Sequence, residues 1–157
     1  MREILFRGKR LDNGEWVEGF YYVKRLRHKG EKALLMKEQS VITSGIKELS
    51  GAYGESAEYL EWKVDPSTVG QYIGLEDAKG KKIFDGDIVR GYSDYHDKFY
   101  GSPAVVGYGH FNCDCCGGVY GWYFGEYGEG DIRDVGNCLV IGNIHDNPEL
   151  LKGESDG

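Results

Sequence analysis

The stretch KVDPSTVGQYIGLEDAKGKKIFDGDIVRGY, residues 63–92, decides the fold. It contains a predicted extended segment, 71–75, and a second one in which 82–84 leads through Asp85-Gly86-Asp87 into 88–89, and the turn sequence Asp77-Ala78-Lys79-Gly80 separates the two. A Gly86-Asp87 step before an apolar run is common in small barrels, because glycine allows an unusual backbone angle and the carboxylate accepts nearby amides. The stretch therefore predicts consecutive strands joined by tight turns, as in an SH3-like barrel.

The amino-acid composition of the whole chain also favours β structure. The chain has 25 glycines, 3 prolines and 13% aromatic residues among its 157 positions, and aromatic side chains suit the pleated surface of a sheet. We expect a mostly β protein in which residues 63–152 form the SH3-like barrel and residues 1–62 add an N-terminal β-hairpin layer. Residues 153–157 are expected to be a frayed tail.

The N-terminal region contains two predicted hairpins. Residues 4–7 and 15–23 flank Asn13-Gly14, a pair that accepts positive φ and favours a tight turn. A second hairpin is expected to turn over residues 24–30 and return over 32–36. Residues 39–59 mix Ser, Gly and Glu without a firm period, which indicates a flexible loop.

The C-terminal region ends with an apolar run, residues 138–144, which predicts a buried strand. Pro148 follows at a position suited to the first residue of a helix, where its missing amide hydrogen costs nothing. We therefore expect a short C-terminal helical turn.

Charge and hydropathy describe an ordinary acidic protein. The chain is 40% hydrophobic and 29% charged, with a formal net charge of −7. It has no apolar run near the roughly 20 residues that a spanning helix needs, and charges interrupt its N-terminus where a signal peptide is apolar. We expect no membrane association and a cytoplasmic location, where thiols stay reduced.

Three blocks of this sequence resemble the YopX family of phage and prophage proteins. They are MREILFRGKRLDNGEWVEG near the N-terminus, DPSTVGQYIGLEDAKGKKIFDGDIVRG in the centre and VIGNIHDNPELL near the C-terminus. The resemblance implies a mostly β protein with an SH3-like barrel, encoded in phage genomes and integrated prophages, that often assembles into homo-oligomers and has no established activity. It gives no catalytic residue, and its signature residues are read as turns and strand ends: Gly70, Gly74, Asp77, Gly80, Gly86, Asp87, Gly142 and Asn143.

The segment HFNCDCCGG, residues 110–118, is the strongest candidate for metal chemistry. A structural zinc site usually draws paired ligands from two segments, and only one segment qualifies here. Side chains alternate along a strand, so three ligands would not share a face unless a turn intervened. The possible ligands are His110, Cys113, Cys115, Cys116 and Cys138. Incidental thiols in a glycine-rich hairpin are the favoured interpretation, and we expect no cofactor, with zinc as the alternative.

Basic residues in the second predicted hairpin form the candidate phosphate-binding site. Residues 1–40 contain ten basic and six acidic side chains, a local charge of +4 in an acidic protein. Phosphate could use this asymmetry, but a solvated hairpin with charged edges explains it equally well. The candidates are Lys24, Arg25, Arg27, Lys29 and Lys32.

Aromatic residues crowd the C-terminal half. They could line a groove for a peptide or a stacked base, and barrel core or subunit interface is the favoured interpretation. The series is Tyr92, Tyr95, Phe99, Tyr100, Tyr108, Phe111, Tyr120, Trp122, Tyr123, Phe124 and Tyr127.

No nucleophile, phosphate-loop or zinc-protease motif is present. The sequence therefore favours a non-enzymatic protein-interaction module that associates with itself and with a host or phage protein. The alternatives are a nucleic-acid-binding module that uses the basic hairpin and a hydrolase whose site is assembled from distant residues.

Overall fold

The computed structural model describes residues 3–27, 36–51, 54–113, 117–125, 130–131 and 136–152. These residues form a mostly β protein whose strand pairings are all antiparallel. The strands are β1 (Phe6–Lys9), β2 (Trp16–Arg27), β3 (Met36–Gly51), β4 (Gly54–Lys63), β5 (Gly70–Glu76), β6 (Lys82–Phe84), β7 (Asp87–Ser93), β8 (Lys98–Cys113), β9 (Gly117–Phe124), β10 (Gly130–Asp131) and β11 (Cys138–Asn143).

The chain divides into two compact units, one over Glu3–Gln71 and the other beginning at Tyr72. The predicted boundary, between residues 62 and 63, falls inside β4. Strand β5 begins in the first unit and continues into the second.

The first unit is a sheet in which β4, β3, β2 and β1 are neighbours in that order. Its buried apolar side chains are Val41, Ile42 and Val64. Strands β2 and β3 approach closely at Gly19, where a Cβ atom would lie 2.1 Å from the carbonyl oxygen of Thr43. Only glycine fits at that contact.

Two predictions for this unit were wrong. Most of residues 39–59, expected as a loop, lie in β3 and β4. The register of these strands shifts between Thr43 and Ile46, and such a bulge breaks the period of two by which a strand is recognised in sequence. Residues 24–27, expected in a turn, continue β2 and pair with residues 36–39.

The second unit contains a sheet with the order β10-β9-β8-β7-β11, and β6 pairs with β5. Its core is a cluster of Ile73, Ile83, Val89, Val106 and Cys138. The side chains of Trp122, Phe124 and Val140 pack against this cluster.

The mostly β class is confirmed, and the SH3-like barrel is not. Neither strand order returns to its first member, so the described sheets are open. One turn of 3-10 helix, Pro148–Leu151, follows β11. Within the described ranges, no helix has the length and hydropathy to cross a bilayer.

Candidate functional site

Strands β8 and β9 extend beyond the rest of their sheet as a two-stranded arm. Strand β7 pairs with β8 only as far as Val105, whereas β9 pairs with β8 from Val106 to Cys113. We call residues 106–113 and 117–124 the arm. Along it, described residues add the pairing of β10 with Tyr123 and Phe124 and a hydrogen bond from the Gly86 amide to the carbonyl oxygen of Val106. Among the residues that the structure describes, the outer part of the arm therefore has no neighbouring strand on either side.

One face of the arm is a row of aromatic pairs. Cross-strand partners place Tyr108 beside Trp122 and His110 beside Tyr120. Their ring centroids lie 5.1 and 5.2 Å apart, in edge-to-face arrangements that aromatic pairs prefer. The row begins at Val106, which is fully buried, and runs outward into solvent. We call the four paired residues, Tyr108, His110, Tyr120 and Trp122, the aromatic row.

The outer end of the row is well exposed. Tyr108 keeps 61% of its accessible surface and Tyr120 keeps 73%. The His110 imidazole lies against the bare backbone of Gly118, where a Cβ atom would come within 1.9 Å of His110 Nε2. Gly118 therefore makes room for the ring, which is a role that the sequence alone did not suggest.

The arm carries no formal charge. Residues 99–113 and 117–125 contain no Asp, Glu, Lys or Arg. Proteins usually protect open strand edges with charged residues, and exposed aromatic patches without charge are enriched at protein interfaces. These properties make the arm the strongest candidate for an interaction surface.

The predicted phosphate-binding residues are partly engaged within the protein. The Lys24 ammonium and the Tyr22 hydroxyl both donate to the carboxylate of Glu61, and Arg25 lies 3.4 Å from Glu38. The hydrogen bond from Lys24, followed by that from Tyr22, lowers the pKa of Glu61. Lys24 and Arg25, the two cations of β2 whose side chains the structure describes, therefore already contact a carboxylate.

The other members of that predicted site are less defined. Arg27 ends β2, with only its backbone described, and Lys29 and Lys32 lie outside the described residues. Sequence reasoning missed Glu61, because its segment was read as following a loop and its partner Lys24 is 37 residues away.

The predicted metal ligands are not brought together by the described part of the chain. His110 is exposed on the arm, whereas Cys138 is buried in the apolar cluster of the second unit. Cys115 and Cys116 are outside the described residues, as is the side chain of Cys113. The residues that are described contain no group of three potential ligands.

The signature carboxylate Asp77 holds a turn and a distant strand together. Its Oδ1 accepts the amides of Lys79 and Lys81, both at 2.9 Å. Its Oδ2 accepts the amide of Val140, in β11, at 3.1 Å. Gly80 lies in the same turn with φ of +81°, a value that favours glycine.

Most of the remaining signature residues lie at strand ends, whereas Gly74 lies within β5, where the pairing with β6 shifts register. Asp87 is fully buried and its Oδ2 accepts the amide of Phe84 at 2.9 Å. Asn143 Oδ1 accepts the amides of His145 and Asp146. Gly74 and Gly86 have φ of +86° and +83°. A Cβ atom at Gly142 would lie 2.6 Å from Asn147 Oδ1.

Comparison with known proteins gives a family and a fold. The family model described as YopX protein matches residues 5–152. The crystal structure of protein EF1440 from Enterococcus faecalis is similar, with a TM-score of 0.52 and 22% sequence identity. The alignment covers 96% of this chain and 99% of that one, and at this identity it shows the fold alone. No curated protein matches the sequence.

Proposed function

This chain belongs to the YopX family, and on that premise we propose that it is a phage- or prophage-encoded accessory protein. It acts as a non-enzymatic protein-interaction module that associates with itself and engages a host or phage protein. Its place is the cytoplasm of the bacterial host, and it works without a cofactor. An SH3-like arrangement of the strands after β5 belongs to the same proposal, supported by the Gly86-Asp87 step that precedes β7.

The observation that carries this proposal is the arm. Its outer part combines strand edges that no described strand covers with an uncharged aromatic row whose tyrosines are largely exposed. An extended protein segment can add to such an edge through main-chain hydrogen bonds, while side-chain pockets supply the specificity. Aromatic residues dominate the binding energy of many interfaces because they bury a large area with few rotatable bonds.

The nucleic-acid alternative has weaker support. Lys24 and Arg25 contact carboxylates of the same protein, and phosphate would have to displace them. The whole chain carries a net charge of −7, which repels a polyanion at long range. The aromatic row therefore supports binding to protein better than the basic strand supports binding to nucleic acid.

Sedimentation equilibrium over a range of protein concentrations tests the proposal. We compare the wild type with a Tyr108→Ala/Tyr120→Ala variant. Loss of two central aromatic contacts is expected to raise the dissociation constant of the self-complex at least tenfold, since truncating an aromatic hot-spot residue costs about 2 kcal/mol or more.

The matched control is Tyr95→Ala, because Tyr95 is 91% exposed and lies outside the arm. This variant should associate as the wild type does. Equal association of the wild type and the arm variant would contradict the proposed role of the aromatic row.

A further inference from the structure

The main chain of β8 turns its hydrogen-bonding groups to two sides in alternation. The carbonyl oxygen of Val105 accepts the Gly125 amide on the side of β9. The carbonyl oxygen of Val106 accepts the Gly86 amide on the opposite side, next to β7. In an antiparallel ladder, successive residues point their N–H and C=O groups to opposite edges of the strand. These two bonds therefore fix which residues of the arm face outward.

The outward-facing residues form a short edge along β8. The register with β9 has no shift between Val106 and Cys113, so every second residue after Val106 points away from β9. Among the described residues, no strand lies on that side of them, because β7 stops at Val105 and β10 lies beside β9, on the other edge of the arm. The residues of this edge are Tyr108, His110 and Asn112.

This edge is matched to a second copy of itself. When two edges run antiparallel about a two-fold axis at His110, that residue lies opposite its own copy. Tyr108 of each chain then lies opposite Asn112 of the other. All three outward-facing residues are paired, and the three pairs can exchange about six main-chain hydrogen bonds.

The ends of the edge select this register. Moving the axis to Gly109 would pair Asn112 with Val106, whose carbonyl already accepts the Gly86 amide. Moving it to Phe111 would place Tyr108 opposite residue 114, which lies beyond the end of β8. With the axis at His110, the edge is filled from β7 to the end of the strand and no existing bond is displaced.

The charge distribution also favours a second copy at this edge. A chain with a net charge of −7 repels its own copy at long range, but the arm contains no Asp, Glu, Lys or Arg. No like charges would therefore oppose each other across the pair. The rings of Tyr120 and His110 would continue into those of the second copy, so one aromatic face would cross four strands.

We infer that two copies join by antiparallel pairing of their β8 edges, centred on His110. The inference rests on the proposed self-association and names its surface and its symmetry. The arms form one sheet with the strand order β9-β8-β8-β9. Both copies use the same edge, so the contact is closed and yields a dimer.

Disulfide trapping tests the register. His110→Cys is introduced into a chain in which Cys113, Cys115 and Cys116 are replaced by Ser, while the buried Cys138 is kept. Opposite residues of a hydrogen-bonded pair have Cα atoms about 5.5 Å apart, within the range of about 4.4–6.8 Å that a disulfide spans. Oxidised glutathione should convert most of this chain into a covalent dimer on a non-reducing gel.

The matched control is Tyr120→Cys in the same serine background. Residue 120 lies on the same face of the arm and is 73% exposed. In the paired arms, its two copies are three strand spacings apart, about 14 Å, which is too far for a disulfide. At a protein concentration where sedimentation shows both variants associated, Tyr120→Cys should remain monomeric on the gel, as should the serine background.

Asn112→Pro tests the edge without an added cysteine. The N–H that proline removes points away from β9, so the bonds between β8 and β9 are kept, and proline is tolerated at such edge positions. Both copies lose a donor to Tyr108, so the dissociation constant measured by sedimentation should rise at least tenfold. Circular dichroism should show an unchanged β content.

The outcomes separate this inference from the proposed function. A wild type that stays monomeric at every concentration overturns the proposed self-association and this inference with it. If the wild type associates but His110→Cys is trapped no better than Tyr120→Cys, another surface joins the copies and only the edge pairing is wrong. A folded Asn112→Pro variant that associates as the wild type does overturns the edge pairing in the same way.

Discussion

Replacing Asp77 should destabilise the second unit by an amount that its hydrogen bonds determine. The carboxylate accepts three backbone amides, from Lys79, Lys81 and Val140. At about 1 kcal/mol for each bond, Asp77→Ala should lower the free energy of unfolding by about 3 kcal/mol. The estimate of about 1 kcal/mol per bond is below that for a fully buried bond to a charged acceptor, because the three bonds are only part-buried.

Asp77→Asn separates the contributions of the two carboxylate oxygens. Its amide oxygen can still accept the two bonds within the turn, but its NH2 group replaces the oxygen that accepts from Val140. The NH2 group would then face the amide of Val140, so two donors would oppose each other. We expect Asp77→Asn to lower the free energy of unfolding by about 1–2 kcal/mol, which is less than the effect of Asp77→Ala.

Urea unfolding followed by tryptophan fluorescence measures both losses. The control is Asp94→Ala, an exposed carboxylate, which should change stability by less than about 0.5 kcal/mol. If Asp77→Ala lowers the free energy of unfolding no more than this control does, the carboxylate does not hold the turn to β11. An Asn variant as unstable as the Ala variant would show that the two bonds inside the turn contribute little.

Two other predictions concern close packing and an exposed ion pair. Gly142→Ala should lower the free energy of unfolding in urea by about 1–3 kcal/mol, because the new Cβ atom would lie 2.6 Å from Asn147 Oδ1. The control Gly136→Ala, whose Cβ atom has no atom within 4 Å, should leave stability unchanged. Equal stabilities of the two variants would contradict the predicted clash with Asn147. Lys24→Met should raise the pKa of Glu61 toward its usual value, because the main hydrogen bond that lowers it is lost. In the wild type, the stabilisation from ionised Glu61 is complete above the pKa of an unfolded glutamate and is lost as the pH falls through the lower folded pKa. Carboxyl NMR titration of both proteins checks the shift, and identical titration curves would refute it.

The part of the fold that could be predicted from sequence is the part whose signals are local. Residues 63–92 contain the turn glycines and apolar runs of β5, β6 and β7, and a strand was also expected at β11. Each of these signals lies within a few residues of the structure that it specifies.

The first unit was harder to predict because its longest hairpin lacks a regular alternating pattern. Strands β3 and β4 carry a register shift that removes the alternating pattern, so a long hairpin was read as a loop. The extension of β2 through its basic residues depends in part on Glu61, which lies on β4 and meets Lys24 across 37 residues of sequence. No local rule identifies such a partner.

Only part of the candidate site could be predicted from the sequence. The aromatic series was evident, but only the pairing of Gly109 with Gly121 shows which rings share a face. A register shifted by one residue would have placed Tyr108 and Trp122 on opposite sides of the arm. The choice of surface therefore came from the register, and the residue types alone could not supply it.

The position of β11 has a consequence for how the chain folds during synthesis. Strand β7 pairs with β11, and Cys138 completes a cluster whose other members lie between residues 73 and 106. A nascent chain that has not yet emerged past residue 138 exposes Ile83 and Val89 to the surroundings, and the third amide partner of Asp77 does not yet exist. The second unit can therefore complete its core only late in translation, and until then its apolar strands are exposed to pairing with other chains.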